Sequence, residues 1–236
     1  MGRVEHMFAS ETTAQVRPPV PAGLRQKIAP VVPASARTIP VSEALAPLLP
    51  GGALRRGTTT VVAGPPGAGA TSLGVSLLAE ASSRGHWCAA VGFADPGVVA
   101  MAELGLDLRR AVFVPHPRAG WAEAAGELFD GVELVVLQPP TRVPHAAARR
   151  LMARAQDRRV ALIVVTDAAD RWPIAPELLL SVTSSVWQGI GLGDGRLSSR
   201  LVEVKVTGRR GATRPTTFDV WLPSPSGAVR VAQRRR

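Results

Sequence analysis

The chain has 236 residues, of which 46% are apolar and 19% charged, a balance typical of globular proteins rather than disordered ones. No apolar run is long enough to span a bilayer, and the amino-terminal sequence MGRVEHMF lacks the apolar block of a secretory signal, so we expect a cytoplasmic protein. The formal net charge is +10, and the single cysteine, Cys88, excludes an internal disulfide and a cysteine metal cluster.

The first 40 residues contain six prolines and show weak periodicity, which predicts a flexible arm over residues 1–40. A short helix is then predicted in VSEALAPLLPGGALRRG, ending at Pro50-Gly51-Gly52. Strands and helices alternate after it, because β-branched apolar runs are followed by segments with helical spacing of apolar residues. In chain order these are the strand TTTVVAG, the helix TSLGVSLLAEASSRG, the strand WCAAVGFA, the helix PGVVAMAELGL, the strand AVFVP, the helix GWAEAAGELFDG, the strand VELVVLQ, the helix PHAAARRLMARAQDRR and the strand VALIVVTD.

The pattern changes beyond Pro176, where SSVWQGI, LVEVKVTG and TTFDVWL alternate apolar and polar residues between Gly-rich or Arg-rich turns. Such segments are typical of partly antiparallel strands at a sheet edge. We therefore predict an α/β fold, with a mostly parallel sheet flanked by helices and antiparallel strands at the carboxyl-terminal edge. The predicted core covers residues 41–222, and residues 223–236 are predicted to form a basic, disordered tail.

The segment GPPGAGATS, residues 64–72, lies between the first strand and the first helix of this alternation. Its spacing approaches the phosphate-binding motif G-x-x-x-x-G-K-[ST], in which glycines allow backbone N–H groups to surround a phosphate. Thr71 occupies the hydroxyl position, but Ala70 occupies the lysine position. The residues that could still hold a nucleotide, weakly, are Gly64, Gly67, Gly69, Thr71, Ser72 and Gln138.

Gln138 ends the strand VELVVLQ, where a Mg²⁺-binding aspartate is expected, and an amide binds a hard dication less well than a carboxylate does. Three interpretations remain open: an ordinary Gly/Pro turn in an unrelated α/β protein, a nucleotide-binding fold with an impaired site, and a competent ATPase with a displaced Lys or Arg. We expect no cofactor and no metal; ATP with Mg²⁺ is the ligand that the loop could still bind, weakly.

The order of elements resembles the RecA-type core over about residues 41–222, from the entry segment VSEALAPLLPGGALRRGTTTVVAGPPGAGATSL to the hairpin LVEVKVTGRRGATRPTTFDVWL. Within that superfamily the chain is similar to ImuA-like proteins of the actinobacterial ImuA-prime type. The resemblance implies a RecA-like, P-loop NTPase core. It also implies an accessory role in damage-induced, error-prone translesion synthesis, and nucleoid association after DNA damage.

The same resemblance implies an ImuB-type inactive Y-family polymerase homologue as partner, and indirectly a C-family error-prone polymerase and the sliding clamp. The missing lysine and aspartate favour a non-catalytic adaptor over a DNA-stimulated ATPase, so we assign no catalytic residue. Asp95, near the position of the recombinase catalytic glutamate, aligns loosely with it.

Most of the positive charge lies near the carboxyl end, since residues 196–236 hold ten basic residues against two acidic ones. Such a region suits nucleic acid, an acidic protein surface, or solubility alone. Single-stranded or primed DNA is thus a further expected partner. The residues predicted to bind DNA or a partner are Arg196, Arg200, Lys205, Arg209, Arg210, Arg214, Arg234, Arg235 and Arg236.

Overall fold

A computed structural model describes residues 37–190, 194–209, 212 and 214–235. Its strands are β1 (Thr38–Pro40), β2 (Ala53–Arg55), β3 (Thr59–Ala63), β4 (Cys88–Val91), β5 (Ala111–Val114), β6 (Leu134–Leu137), β7 (Ala161–Thr166), β8 (Leu178–Ile190), β9 (Gly195–Gly208), β10 (Thr216–Trp221) and β11 (Arg230–Arg235). Its α-helices are α1 (Ala70–Ser76), α2 (Ala79–Ser83), α3 (Val98–Glu103), α4 (Trp121–Leu128) and α5 (His145–Arg158).

Nine strands form one sheet in the order β11–β10–β9–β8–β3–β7–β6–β4–β5, and β1 pairs with β2 in a separate two-stranded sheet. Strands β8, β3, β7, β6, β4 and β5 are parallel to their neighbours, whereas β8 to β11 pair antiparallel. Every residue of β3, β4, β6 and β7 is buried, as expected for parallel strands covered on both faces. The α/β class and the antiparallel edge are therefore as predicted.

The helices divide between the two faces of the sheet. Helices α1, α2 and α3 pack with Val62, Val136 and Ile163 in one core cluster, and α4 and α5 pack with neighbouring residues of the same strands in another. Successive side chains of a strand point to opposite faces, so each central strand contributes to both clusters. The helix predicted over residues 71–85 is two helices, because α1 ends in a turn at Leu77–Leu78 before α2 begins.

The antiparallel edge differs from the prediction at the carboxyl end. Residues 230–235, within the segment 223–236 predicted to be a disordered tail, form β11 and pair with β10. Val229 and Val231 pack against the core cluster that holds α1, so main-chain pairing and apolar contact both fix this segment.

The amino-terminal boundary also differs, because Thr38–Pro40, predicted to belong to the arm, form β1 against β2. Ile39 is fully buried there, which explains why the strand packs onto the core. The remainder of the predicted arm, residues 1–36, lies outside the described residues. No helix among the described residues is long and apolar enough to cross a membrane.

Candidate functional site at the phosphate-loop pocket

A pocket of about 280 Å³ lies at the carboxyl ends of β3, β6 and β7. After β3 the chain continues into α1, which covers one face of the sheet. After β6 it continues into α5, which covers the opposite face. The two connections thus diverge and leave a crevice between them, which is the usual ligand position in an open α/β sheet. The pocket is lined by the segment 64–72 except Ala68, by Gln138, by Val165 to Asp167, and by Arg200.

The glycines of the loop are required by its backbone. Gly67 and Gly69 adopt φ of 79° and 113°, a region that side chains rarely allow. Gly64 does not have a positive φ of this kind, but a Cβ there would lie 2.8 Å from Cβ of Val182. The backbone of residues 64–72, named the phosphate loop here after the motif that its spacing approaches, thus requires glycine at these three positions.

The loop offers fewer phosphate-binding donors than its spacing suggests. Pro65 and Pro66 have no N–H group, and the N–H of Ala68 donates to the carbonyl of Pro65 at 3.0 Å. Ala70, in the lysine position, is 5% exposed and its methyl group belongs to the core. No described lysine lines the pocket; the only described lysine is Lys205.

The other predicted nucleotide-binding residues are brought together at the pocket. Thr71 is exposed at the start of α1, and Ser72 is half-buried behind it. Gln138 is exposed and lines the same pocket. Its backbone N–H donates to the carbonyl of Val91 at 2.8 Å, which fixes the main chain at this residue. Asp95 is exposed and does not line this pocket.

Arg200, which the sequence predicts to bind DNA or a partner, lies within β9 and is buried. It is 6% exposed, because even-numbered residues of β9 face the core cluster that contains α1. Its guanidinium donates from Nη1 to the carbonyl of Gly67 at 3.2 Å and from Nη2 to Oγ of Ser72 at 3.0 Å. Its Nε donates to the carbonyl of Leu222 at 2.9 Å. Arg200 is therefore bonded to the loop within the protein, and its contact with DNA or a partner stays a prediction.

The charge of Arg200 has no carboxylate partner among the described residues. Its Cζ lies 4.7 Å from the ring centroid of Trp187, which is directly opposite it on β8. Burial lowers the pKa of the Arg200 guanidinium below its usual range. Since Arg200 occupies the pocket wall next to the loop, it supplies the positive charge that Ala70 does not.

Asp167 was not singled out by the sequence reasoning, although it lies directly after a buried strand at the edge where the loop also lies. It is the acidic residue of the pocket lining, and its Oδ1 lies 3.3 Å from Nε of Arg171. An acid immediately after the apolar run VALIVVT is the signal that could have indicated it.

The remaining basic residues do not gather at this pocket. Arg196 is exposed at the start of β9, and Lys205 faces the opposite side of the sheet from Arg200. Arg209, directly after β9, and Arg214, shortly before β10, are also exposed. Arg234 and Arg235 belong to β11, whereas Arg210 and Arg236 lie outside the described residues.

The model of a protein family described as the MT3502 N-terminal domain matches residues 47–173 of the chain. The chain belongs to this family. The matched region contains β3 to β7, the phosphate loop, Gln138 and Asp167, and it ends before β8 and Arg200.

A protein of Mycobacterium tuberculosis (strain ATCC 25618 / H37Rv), described as uncharacterized protein Rv3395c, is 34% identical to the chain over 149 residues. The alignment covers 61% of the chain and 63% of that relative. The chain therefore spans less than two thirds of the relative's length.

Proposed function

We propose that the protein is a non-catalytic, RecA-like accessory protein of damage-induced, error-prone translesion DNA synthesis. It binds an ImuB-type polymerase homologue, through which it meets the C-family polymerase and the sliding clamp. The observation that carries the non-catalytic part is the state of the phosphate loop: Ala70 is buried in the core, and the guanidinium of Arg200 is bonded to the loop itself.

The RecA-like part rests on the resemblance in element order and on the position of the loop. β3, which leads into the loop, pairs with β7 on one side and β8 on the other, so the loop lies near the centre of the sheet. A glycine-rich strand-to-helix turn at this point is where nucleotide-binding folds hold phosphates.

The loss of catalysis follows from what the pocket residues can do. Phosphoryl transfer needs cations that neutralise charge developing on the phosphate oxygens, and a carboxylate that holds Mg²⁺. At the Mg²⁺ position Gln138 offers an uncharged amide, and the pocket carboxylate, Asp167, is paired with Arg171. Arg200 already donates to Gly67, Ser72 and Leu222. A loop that is closed by the protein's own cation has a structural role, as the turn that joins β3 to α1.

The basic carboxyl-terminal region would provide the contacts to the partner or to DNA. Arg196, Arg209 and Arg214 are exposed, and none of them forms an ion pair among the described residues. Unpaired exposed arginines suit a partner with acidic groups or phosphates.

A second candidate function is an ATP-dependent switch in which Arg200 replaces the loop lysine. It is favoured by one observation, the buried charge of Arg200 with no carboxylate partner among the described residues. A buried cation of this kind is stabilised by an anion placed beside it. In this alternative, hydrogen bonds from Arg200 to the phosphates of ATP would replace its bonds to Gly67 and Ser72.

Complex formation with the ImuB-type homologue of the same organism distinguishes the two. The purified proteins are mixed and their mass is measured by light scattering after gel filtration, once with EDTA and no nucleotide, and once with ATP and Mg²⁺. The adaptor predicts the same complex in both buffers. A complex only with ATP and Mg²⁺ supports the switch, and no complex in either buffer refutes the partner assignment.

A further inference from the structure

A basic groove lies where the parallel strands β3 and β8 begin, at the opposite end of these strands from the phosphate loop. It has a volume of about 530 Å³ and is bordered by Arg55 of β2, Arg149 of α5 and Arg209 after β9. Three segments that are distant in the sequence thus bring three arginines to one concavity. We propose that this groove binds an acidic segment of a partner protein that carries an apolar anchor side chain.

The charge of the groove is only partly balanced by the chain. Nη1 of Arg55 lies 3.1 Å from Oε1 of Glu177, which also lines the groove. Arg149 and Arg209 are exposed and have no ion pair within the part of the chain that the structure describes. Two cations are therefore available to carboxylates of a ligand, and arginine can bind each carboxylate through two hydrogen bonds.

Two other arginines of α5, Arg154 and Arg158, differ from Arg149 because they form ion pairs. Arg154 lies within hydrogen-bond distance of Glu127 and close to Asp130, and Nε of Arg158 lies 3.0 Å from Oδ1 of Asp130. These pairs neutralise the flank of the helix that faces α4. Among the described residues of α5, the arginines without an ion pair are thus Arg149, in the groove, and its neighbour Arg150, so the helix does not carry the continuous basic strip that a nucleic acid backbone follows.

The groove also offers apolar surface. Met152 and Ile174 line it, and both are half-buried and pack against the core cluster that contains α5. Phosphates make no use of such a surface, whereas a peptide can bury one apolar side chain there and place acidic residues against Arg149 and Arg209. Protein–protein contacts commonly combine an apolar centre with a polar rim in this way.

The groove is separate from the phosphate-loop pocket, and its binding does not depend on the polymerase assignment. Its test starts from selection of peptides from a displayed random 12-residue library on the immobilised full-length chain. The selected peptides are synthesised with a fluorescent label, and their affinity is measured by fluorescence anisotropy. We expect acidic peptides that contain a bulky apolar residue, and weaker binding at higher salt.

Two variants with equal changes in charge decide where these peptides bind. In Arg149→Glu/Arg209→Glu the affinity should fall at least about tenfold, because like charges then face the peptide. Arg142→Glu/Arg150→Glu alters exposed arginines that do not line the groove, and it should bind as the wild type does.

The proposal is overturned by selection of no peptide, by selection of non-acidic peptides, or by equal binding to the two variants. A labelled 20-residue oligothymidylate serves as the competing class of ligand. If the oligothymidylate binds the wild-type protein and only Arg149→Glu/Arg209→Glu weakens that binding, the groove is a nucleic-acid site. This result would also overturn the proposal.

Discussion

The Nη2 atom of Arg200 donates a hydrogen bond of 3.0 Å to Oγ of Ser72, a residue 128 positions earlier in the chain. The bond joins the antiparallel edge of the sheet to the first turn of α1. Together with the bonds to Gly67 and Leu222, it ties the phosphate loop to β9 and to the end of β10. The positively charged group of this pocket is therefore supplied by a strand, not by the loop.

Replacement of Arg200 by alanine should lower the free energy of unfolding by about 2–4 kcal/mol, since three hydrogen bonds from a buried cation are lost. The free energy is measured by urea denaturation. The matched control is Arg196→Ala on the same strand, exposed, with an expected change within about 0.5 kcal/mol. Equal effects of the two substitutions would contradict the role assigned to Arg200.

Gly69→Ala should destabilise the protein through both backbone strain and contact with Arg200. A Cβ at this position would lie 3.0 Å from Cζ of Arg200, and φ is 113°. The control is Gly67→Ala, which has φ of 79° and no atom within 4 Å of the added Cβ, so that it reports mainly the strain.

A double-mutant cycle of Gly69→Ala with Arg200→Ala isolates the contact. We expect the double variant to be more stable than additivity predicts, by at least about 0.5 kcal/mol, because removal of the guanidinium makes room for the methyl group. Strict additivity would show that Arg200 does not press against the loop.

Glu133 should make the stability depend on pH in the acidic range. Burial raises the pKa of its carboxyl, but hydrogen bonds and charge from His86 and Arg56 outweigh burial and lower it below 4.5. A carboxyl with a lowered pKa in the folded state stabilises the protein above its unfolded pKa, and this contribution is lost as the pH falls through the folded value. Glu133→Gln should therefore flatten the stability curve below about pH 4.5, measured by urea denaturation at several pH values. An unchanged slope would contradict this.

Cys88 should resist thiol reagents in the folded protein. It is fully buried, and burial, followed by the charge of Glu133, raises the pKa of its thiol to about 12. Only the thiolate reacts, so at pH 8 labelling by Ellman's reagent should be at least about a hundredfold slower in native buffer than in 8 M urea, the unfolded control. Comparable rates in the two buffers would show that β4 opens readily.

The sequence predicted the parallel half of the sheet well, since strands such as VELVVLQ and VALIVVTD are short apolar runs that only a doubly covered sheet can bury. The loop was predicted as well, because Gly64 and Gly69 mark it locally. These features depend on neighbouring residues and on local periodicity.

The contacts of Arg200 could not be predicted, because they depend on the register of β8 with β9, which places Arg200 opposite Trp187. A shift by one residue would turn the guanidinium to the other face of the sheet. β11 was missed for a related reason: its arginines suggested a solvated tail, whereas its pairing with β10 is a main-chain property that the side chains do not reveal.

The central claim, that the phosphate loop has a structural role and no catalytic one, is tested most directly by the release of labelled phosphate from ATP. The assay uses the purified chain with Mg²⁺, with and without single-stranded DNA, and the Arg200→Ala protein as the control for contaminating activity. We predict the same background rate for both proteins, whether or not DNA is present. DNA-stimulated turnover that disappears in the Arg200→Ala protein would contradict the account and identify Arg200 as a catalytic residue.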